Sequence, residues 1–273
     1  MLEIPVTYFL KKDQSYTDVA EAYLTGAAYA DTPQTPAQKA FLKELDSQLH
    51  NERFYTITDV LSGEITQCKG VGQWLGYADG DFSQKKFLSI VHPAHAVIQS
   101  LYATCFFDFL LNTGFKLQWL TPHFISTIAL KISANNYLYC KRECFPSQVT
   151  DDNLMLSYVS EFTVIKEFDG ENYHCRLSNI DNKQLKLQQV IQTLVKTRFE
   201  KAAFFSIQEH RILKKYANTK NITSQAIATA IKVEKISVNT YNKRILKKAR
   251  ELFHYPFTNA MEVGIWLKTM GCL

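Results

Sequence analysis

The most informative hydrophobic pattern lies near the end of the chain, in residues 223–250. In TSQAIATAI, Thr223 is a typical helix N-cap, and apolar residues follow at helical spacing: Ile227, Ala228 and Ile231. After the short link KVEK, ISVNTYNKRILKKAR predicts a second helix with one polar, basic face. Its apolar face is predicted to comprise Ile236, Val238, Ile245 and Ala249. Two helices joined by a tight turn, with one basic face, are typical of a helix-turn-helix, whose second helix enters the DNA major groove.

A different pattern fills residues 54–168, where aromatic and β-branched runs alternate with turn residues. FYTITDVLSGEITQCKG predicts two short strands around Ser62-Gly63, and GQWLGY predicts a one-turn helix that ends at Gly76. HAVIQSLYATCFFDFLL has helical periodicity. Further strands are predicted in FKLQWLTP, TIALKIS, YLYCKRECFP and LMLSYVSEFTVIKEF.

Helical segments flank this β-rich region. Residues 1–31 are expected to be helical in part, and a helix is predicted from Pro36, with Thr35 as its N-cap. The apolar residues of that helix indicate packing either on the next domain or across a dimer. NKQLKLQQVIQTLVKTRF, residues 183–200, predicts another helix. Its apolar stripe is typical of core packing, and a parallel dimer helix is the alternative.

Charge is distributed unevenly along the 273 residues. Residues 200–273 contain 13 Lys or Arg and 5 Asp or Glu, a net charge of +8, whereas the rest of the chain carries −3. A basic C-terminal part on a nearly neutral body favours a polyanionic partner. The helix-turn-helix pattern on the same residues favours double-stranded DNA over a merely solvated basic surface.

Residues 50–170 resemble a PAS domain. The resemblance rests on Leu75-Gly76-Tyr77, on Leu88–Pro93 (LSIVHP) and on the long strands that follow, in the family's order. One departure is His95, where the family often has Asp. The resemblance implies a five-stranded antiparallel sheet with helices on one face, and a role in signal sensing or dimerisation.

Residues 201–273 resemble the four-helix DNA-binding domain of LuxR/GerE-type regulators. FSIQE matches the family's L-T-x-x-E, SQAIA matches N-K-E-I-A, and SVNTY matches T-V-K-x-H. The chain departs from the family at Ala226 and Asn239, which replace an acidic residue and a common Lys. The whole chain is therefore expected to be α+β: an N-terminal helical segment (1–49), the PAS-like domain (50–170), a helical linker (171–200) and an all-α helix-turn-helix domain (201–273).

The same resemblance places three side chains at base-contacting positions: Asn239, Thr240 and Lys243. Their chemistry fits, because an Asn amide pairs with adenine N6 and N7, a Lys reaches guanine O6 or N7, and a Thr offers both a methyl group and a hydroxyl. Phosphate contacts are expected from short polar or basic side chains and helix N-termini. These are Thr223, Ser224, Gln225, Lys235, Ser237, Tyr241 and Lys247.

Other chemistries are poorly supported. The six cysteines include no CxxC and are interpreted as reduced thiols. His92, His95 and His123 are more typical of structural histidines than of metal or haem ligands, and no nucleophile–base set or Gly-rich phosphate loop is present. No metal or cofactor and no enzymatic activity are therefore expected. No signal peptide and no membrane-spanning run is evident, so a cytoplasmic protein without a membrane partner is expected.

The sequence thus predicts a DNA-binding transcriptional regulator that acts as a homodimer. A small-molecule ligand or a partner that favours one arrangement of the PAS-like dimer would alter how the two recognition helices are spaced. The alternative is a PAS-like interaction module with a packed core that signals through a protein partner. The final helix, residues 259–270, is expected to cover the core and to pair with a second copy.

Overall fold

The computed structural model describes residues 35–47, 52–113, 124–134, 136–150, 154–177 and 182–273. They form two compact units, one from residues up to His92 together with Phe106–Gln188, the other from Pro93–Cys105 together with Gln189–Leu273. The helical segment predicted in residues 1–31 and the strand predicted in FKLQWLTP lie outside the described residues. Within the described ranges, no helix combines the length and the apolar character needed to cross a bilayer.

The first unit is built on an antiparallel sheet with the strand order β2-β1-β5-β4-β3-β6. Its strands are β1 (Arg53–Asp59), β2 (Ile65–Lys69), β3 (Phe124–Lys131), β4 (Tyr137–Val149), β5 (Met155–Glu167) and β6 (His174–Leu177). The first five have the connectivity expected of a PAS-like sheet. The α+β prediction is therefore confirmed for this unit.

The sixth strand differs from the prediction. His174–Leu177 pairs antiparallel with β3, with Cys175 opposite Ser126, although the sequence interpretation assigned residues 171–200 to a helical linker. A four-residue edge strand has too few positions to show an alternating pattern, and its pairing depends on a partner about fifty residues earlier. The helical part of that span is α5, which begins only at Asn182.

One face of the sheet is covered by α1 (Pro36–Ser47). Phe41, Leu42 and Leu45 of this helix pack against a sheet cluster, and the Phe41 ring meets Phe145 edge-on at 5.2 Å. That cluster comprises Tyr55, Ile57, Phe145 and Val159. Of the two alternatives for this helix, packing on the adjoining domain is the one that the structure contains.

The opposite face, here called the helix-covered face, lies next to α2 (Val71–Leu75), α3 (Gln84–Ile90) and the C-terminal part, from Phe106, of α4 (Pro93–Thr113). Gly76 ends α2 at φ 75°, as the sequence predicted, and a Cβ there would lie 2.2 Å from Ser133 Oγ. The rings of Phe54 and Phe162 stack at 4.6 Å, and Phe87 of α3 lies 5.8 Å from Phe162. These rings form the apolar part of the core under the helices.

The second unit contains most of α5 (Asn182–Lys201) and four further helices. They are α6 (Ile207–Asn218), α7 (Ser224–Ile231), α8 (Lys235–Phe253) and α9 (Ala260–Thr269). In α5 the buried stripe is Ile191, Val195 and Phe199, whereas Val190 is 43% exposed. The stripe therefore serves core packing, the first of the two alternatives. α9 crosses α6 closely, since a Cβ on Gly264 would lie 2.9 Å from the Leu213 carbonyl oxygen.

Candidate nucleic-acid interface

The turn between α7 and α8 is defined by backbone and side-chain caps. Thr223 accepts a hydrogen bond from the Ala226 N–H at 3.2 Å and so starts α7, as predicted. Lys232 adopts the left-handed conformation at φ 57°, and the Val233 N–H donates to the Ala228 carbonyl at 3.0 Å. This closes α7 in the manner of a Schellman turn and lets α8 begin three residues later.

The buried face of α8 anchors it to the rest of the unit. Val238, Ile245, Ala249 and Phe253 are each fully buried, at spacings of four or seven residues. Asn242 Nδ2 donates to the Tyr216 hydroxyl at 2.9 Å, which links α8 to α6. Lys248 Nζ donates to Glu209 Oε2 at 2.6 Å and makes a second link between these helices. The orientation of α8 is therefore fixed from the side opposite its basic face.

Glu209 takes part both in the cap at the start of α6 and in the ion pair with Lys248. It is 2% exposed and forms a reciprocal capping box with Ser206, in which each side chain accepts the other residue's backbone N–H. Burial acts to raise the pKa of Glu209, but the hydrogen bonds from Lys248 and Ser206 outweigh it and hold the pKa below its ordinary value. The ionised carboxylate is thus the form that the fold stabilises.

We expect Glu209→Gln to destabilise the protein near neutral pH by about 1–2 kcal/mol, because a capping and charge-assisted bond is weakened. A carboxylate with a lowered folded-state pKa contributes stability above its unfolded pKa and loses it as pH falls through the folded value. The difference between wild type and variant should therefore shrink below about pH 4.5, the ordinary value for Glu. Urea unfolding at several pH values measures this.

The matched control is Glu251→Gln. Glu251 is an exposed residue of α8, and its Oε1 lies 3.9 Å from Lys247 Nζ, which is long for an ion pair. Exposed pairs of this kind contribute little to stability. This variant should match wild type at every pH. Equal stability of the two Gln variants at neutral pH would contradict the role given to Glu209.

The three predicted base-contacting residues share the exposed face of α8. Asn239, Thr240 and Lys243 are all exposed, within one helical turn of one another. Thr240 Oγ1 donates to the Ile236 carbonyl at 3.1 Å, so its hydroxyl proton is already used. The side chain therefore offers its methyl group and an acceptor oxygen rather than a donor.

The residues predicted to contact phosphate occupy two regions. Thr223, Ser224 and Gln225 lie at the N-terminus of α7, with Ser224 partly covered. On α8, Lys235 and Lys247 are exposed, whereas Ser237 and Tyr241 are partly covered by the unit. All seven lie on the two helices of the helix-turn-helix.

Two residues on α8 differ from the sequence interpretation. Ile236 was assigned to the apolar face, yet it is 70% exposed, in line with Asn239, Thr240 and Lys243. Ile236 is the second residue of α8 and lies beyond the edge of the core. Val238 is therefore the first side chain of this helix that the core covers. Arg244, which was not singled out, is also exposed beside Lys243. In the sequence, only its charge marked Arg244 as a candidate DNA contact.

Among the residues that the structure describes, no group of three His, Cys, Asp or Glu side chains is placed to hold a metal ion. Cys144 and Cys175, which the sequence left as separate thiols, lie on the helix-covered face of the sheet opposite Phe124 and Ser126 of β3, respectively.

No protein-family model matches the chain, and no curated protein is significantly similar to it in sequence. Several solved structures are similar in fold. A PAS domain from Colwellia psychrerythraea is 16% identical, with a TM-score of 0.34, over 46% of this chain and 98% of that one.

Two longer structures match across both units. The VqmA–ligand–DNA complex of Vibrio cholerae contains a chain 9% identical, with a TM-score of 0.29, over 85% of this chain and 89% of that one. SdiA from Escherichia coli is 12% identical, with a TM-score of 0.27, over 94% and 99% of the two chains. The chain's own strand order and helix arrangement describe a PAS-like sheet and, later in the chain, a helix-turn-helix.

Proposed function

We propose that the protein is a sequence-specific DNA-binding transcriptional regulator, in which α8 is the recognition helix. One observation carries the proposal: α8 is buried along one side and presents polar and basic side chains along the other. A cationic surface on a single helix is common, but here that surface belongs to the second helix of a capped helix-turn-helix. In that motif the exposed face of the second helix is the one that enters the major groove.

Base recognition is assigned to four residues. Asn239 pairs with adenine through N6 and N7, and Lys243 donates to guanine O6 or N7. Thr240 contributes its methyl group, since its hydroxyl donates to the Ile236 carbonyl. Ile236 is added to this set, because an exposed aliphatic side chain on the same face suits the C5-methyl group of thymine.

Phosphate binding is assigned to the ends of the motif. Thr223, Ser224 and Gln225 surround the N-terminus of α7, where free backbone N–H groups attract an anion. Lys235, Ser237, Tyr241 and Lys247 act from α8, and Arg244 joins them as an exposed cation. These contacts position the motif, whereas the base contacts specify the sequence.

We further propose that the protein acts as a homodimer that pairs partly through α9. In this helix Val263, Trp266 and Leu267 are buried in the core, whereas Ile265 is 51% exposed. Ile265→Glu should leave thermal stability within about 0.5 kcal/mol of wild type, because the side chain touches little of the core. A charge at a paired surface should weaken binding to a two-half-site duplex by about tenfold or more at nanomolar protein.

Analytical ultracentrifugation and anisotropy with one-site and two-site duplexes measure these effects. Ile207→Glu is the charge-matched control, because Ile207 is an exposed residue of α6, outside this helix. Unchanged affinity of the Ile265 variant for the two-site duplex at dilute protein would exclude pairing through this helix.

The regulator proposal is tested by selection from a randomised duplex pool with the full chain. Enrichment of a near-palindromic sequence is expected, with half-sites about one helical turn apart. Failure to enrich any sequence would contradict sequence-specific binding and favour an interaction module that signals through a protein partner.

A further inference from the structure

The helix-covered face of the PAS-like sheet contains an arginine near its centre. Arg142 lies in the middle of β4, between β3 and β5, opposite Ser126 on one side and Phe162 on the other. Its guanidinium carbon lies 5.2 Å from the Phe87 ring centroid and 5.7 Å from that of Phe162. The charge is therefore held between the sheet and α3, against aromatic rings.

Among the described residues, Arg142 has hydrogen-bond partners but no counter-charge. Its Nε and Nη2 atoms donate to Ser160 Oγ at 3.2 and 2.8 Å, and no described carboxylate forms an ion pair with it. The titratable groups that interact with its charge are thiols and phenols: Cys144, Tyr158, Tyr173 and Cys175. Burial raises the pKa values of Tyr158 and Cys175, so both stay neutral near pH 7.

A buried guanidinium without a carboxylate is costly, since charges inside proteins are normally paired. It also has more donors than described acceptors: two of its five N–H groups serve Ser160, and the Tyr158 hydroxyl is the other described acceptor. Both acceptors are neutral, so a further acceptor that carries a negative charge can still be accommodated by this fork. A planar carboxylate is the group that such a fork binds best.

Accessible surface accompanies these donors. Arg142 and Tyr158 keep part of their surface accessible although they lie on the helix-covered face, and so do Cys144 and Cys175. A closely packed core would cover side chains in these positions almost completely. The stacked rings of Phe54 and Phe162, 4.6 Å apart, provide an apolar wall on the same face.

We propose that this face binds a small organic carboxylate with an apolar body, and that Arg142 pairs with its carboxylate group. The carboxylate supplies the missing counter-charge, and the apolar body lies against the phenyl rings. The inference deepens the proposed function, because it names the chemical class of the signal. It is tested without DNA, so its failure and a failure of DNA binding can be distinguished.

The test is thermal unfolding of the full chain with benzoate or 3-phenylpropanoate, each against its uncharged amide at constant ionic strength. At 10 mM a carboxylate should raise Tm by about 3 °C, as expected for saturation to about ten times Kd. The amides should leave Tm unchanged. Equal shifts from acid and amide, or no shift from either carboxylate, would overturn the proposal.

Arg142→Met keeps an unbranched apolar stem, although a shorter one, and removes the charge. It should fold with a Tm no lower than that of wild type, and its affinity for the carboxylate should fall at least tenfold, whereas Arg53→Met should respond as wild type does. Arg53 is the matched control, because it already pairs with Glu161 at 2.9 Å.

Retention of the carboxylate response by Arg142→Met would overturn the proposal. If that variant does not fold, Arg142→Lys decides the matter with the same ligands. If Arg142→Lys, which keeps the charge, responds more to the acid than to the amide, an ionic site is supported. If both Arg142→Lys and wild type respond equally to acid and amide, an ionic site is excluded.

Discussion

Replacement of both Asn239 and Lys243 by Ala is expected to reduce the affinity of the full chain for its selected duplex by about 100-fold or more. Each specific base contact contributes about 1–3 kcal/mol of discrimination, and the two side chains lie one turn apart on the exposed face of α8. Neither belongs to the buried set of this helix. The thermal stability of the double variant should therefore stay close to that of wild type.

The two single variants separate recognition of the base sequence from non-specific electrostatic attraction to DNA. Asn239→Ala removes no charge, so it should relax the preference at one base pair and leave the salt dependence unchanged. Lys243→Ala should lower affinity, and if its partner is a phosphate, the slope of log K against log salt should fall by about 1. Anisotropy with matched and mismatched duplexes measures both effects.

Arg211→Ala is the charge-matched control for the Lys243 variant. Arg211 is exposed on α6 and bonds only to Gln208, three residues earlier, among the contacts described. Its loss should change affinity by less than about threefold. An equal fall for Arg211→Ala and Lys243→Ala would show that the overall charge of the unit, rather than the face of α8, governs binding.

The second large effect is expected from two identical substitutions on opposite sides of α8. Ile245 is completely buried, so Ile245→Ala should cost about 2–5 kcal/mol of unfolding free energy, through lost burial and the cavity left behind. Ile236 is 70% exposed, so Ile236→Ala should change stability by less than about 0.5 kcal/mol.

The loss of DNA affinity should be larger for Ile236→Ala than for Ile245→Ala, which is the reverse of their order in stability loss. At a temperature where both are folded, Ile236→Ala should weaken binding to sites that carry a thymine at the contacted position, by about 1 kcal/mol. Ile245→Ala should bind with near-normal affinity once its unfolded fraction is taken into account. Urea denaturation followed by anisotropy gives both quantities, and the reverse order would mean that the core face of α8 has been misassigned.

Much of the helix-turn-helix could be predicted from sequence because its signals are local. The Thr223 cap and the apolar spacing of Ile227, Ala228 and Ile231 predict α7, and the same positions are capped and buried in the structure. Ile236 was misassigned because periodicity continues to the end of a helix, whereas the core beneath it does not. Only the placement of neighbouring elements shows where burial begins.

Features that depend on distant pairing could not be predicted. The strand His174–Leu177 is defined by its partner β3 rather than by its own four residues. Arg142 lies in the segment YLYCKRECFP, where its direction depends on the register between β4 and β5. The sequence alone shows a charged residue on a strand, but not that the charge faces the helix-covered side, where no carboxylate of the described residues forms an ion pair with it.

The salt dependence of duplex binding tests the central claim most directly. Anisotropy of the full chain with its selected duplex between 50 and 200 mM salt should give a steep linear fall of log K with log salt, with a slope of about −4 or steeper, corresponding to four or more phosphate contacts. The Asn239/Lys243 double variant should bind selected and unrelated duplexes almost equally. Binding that does not depend on salt, or a double variant that still prefers the selected duplex, would contradict recognition through α8.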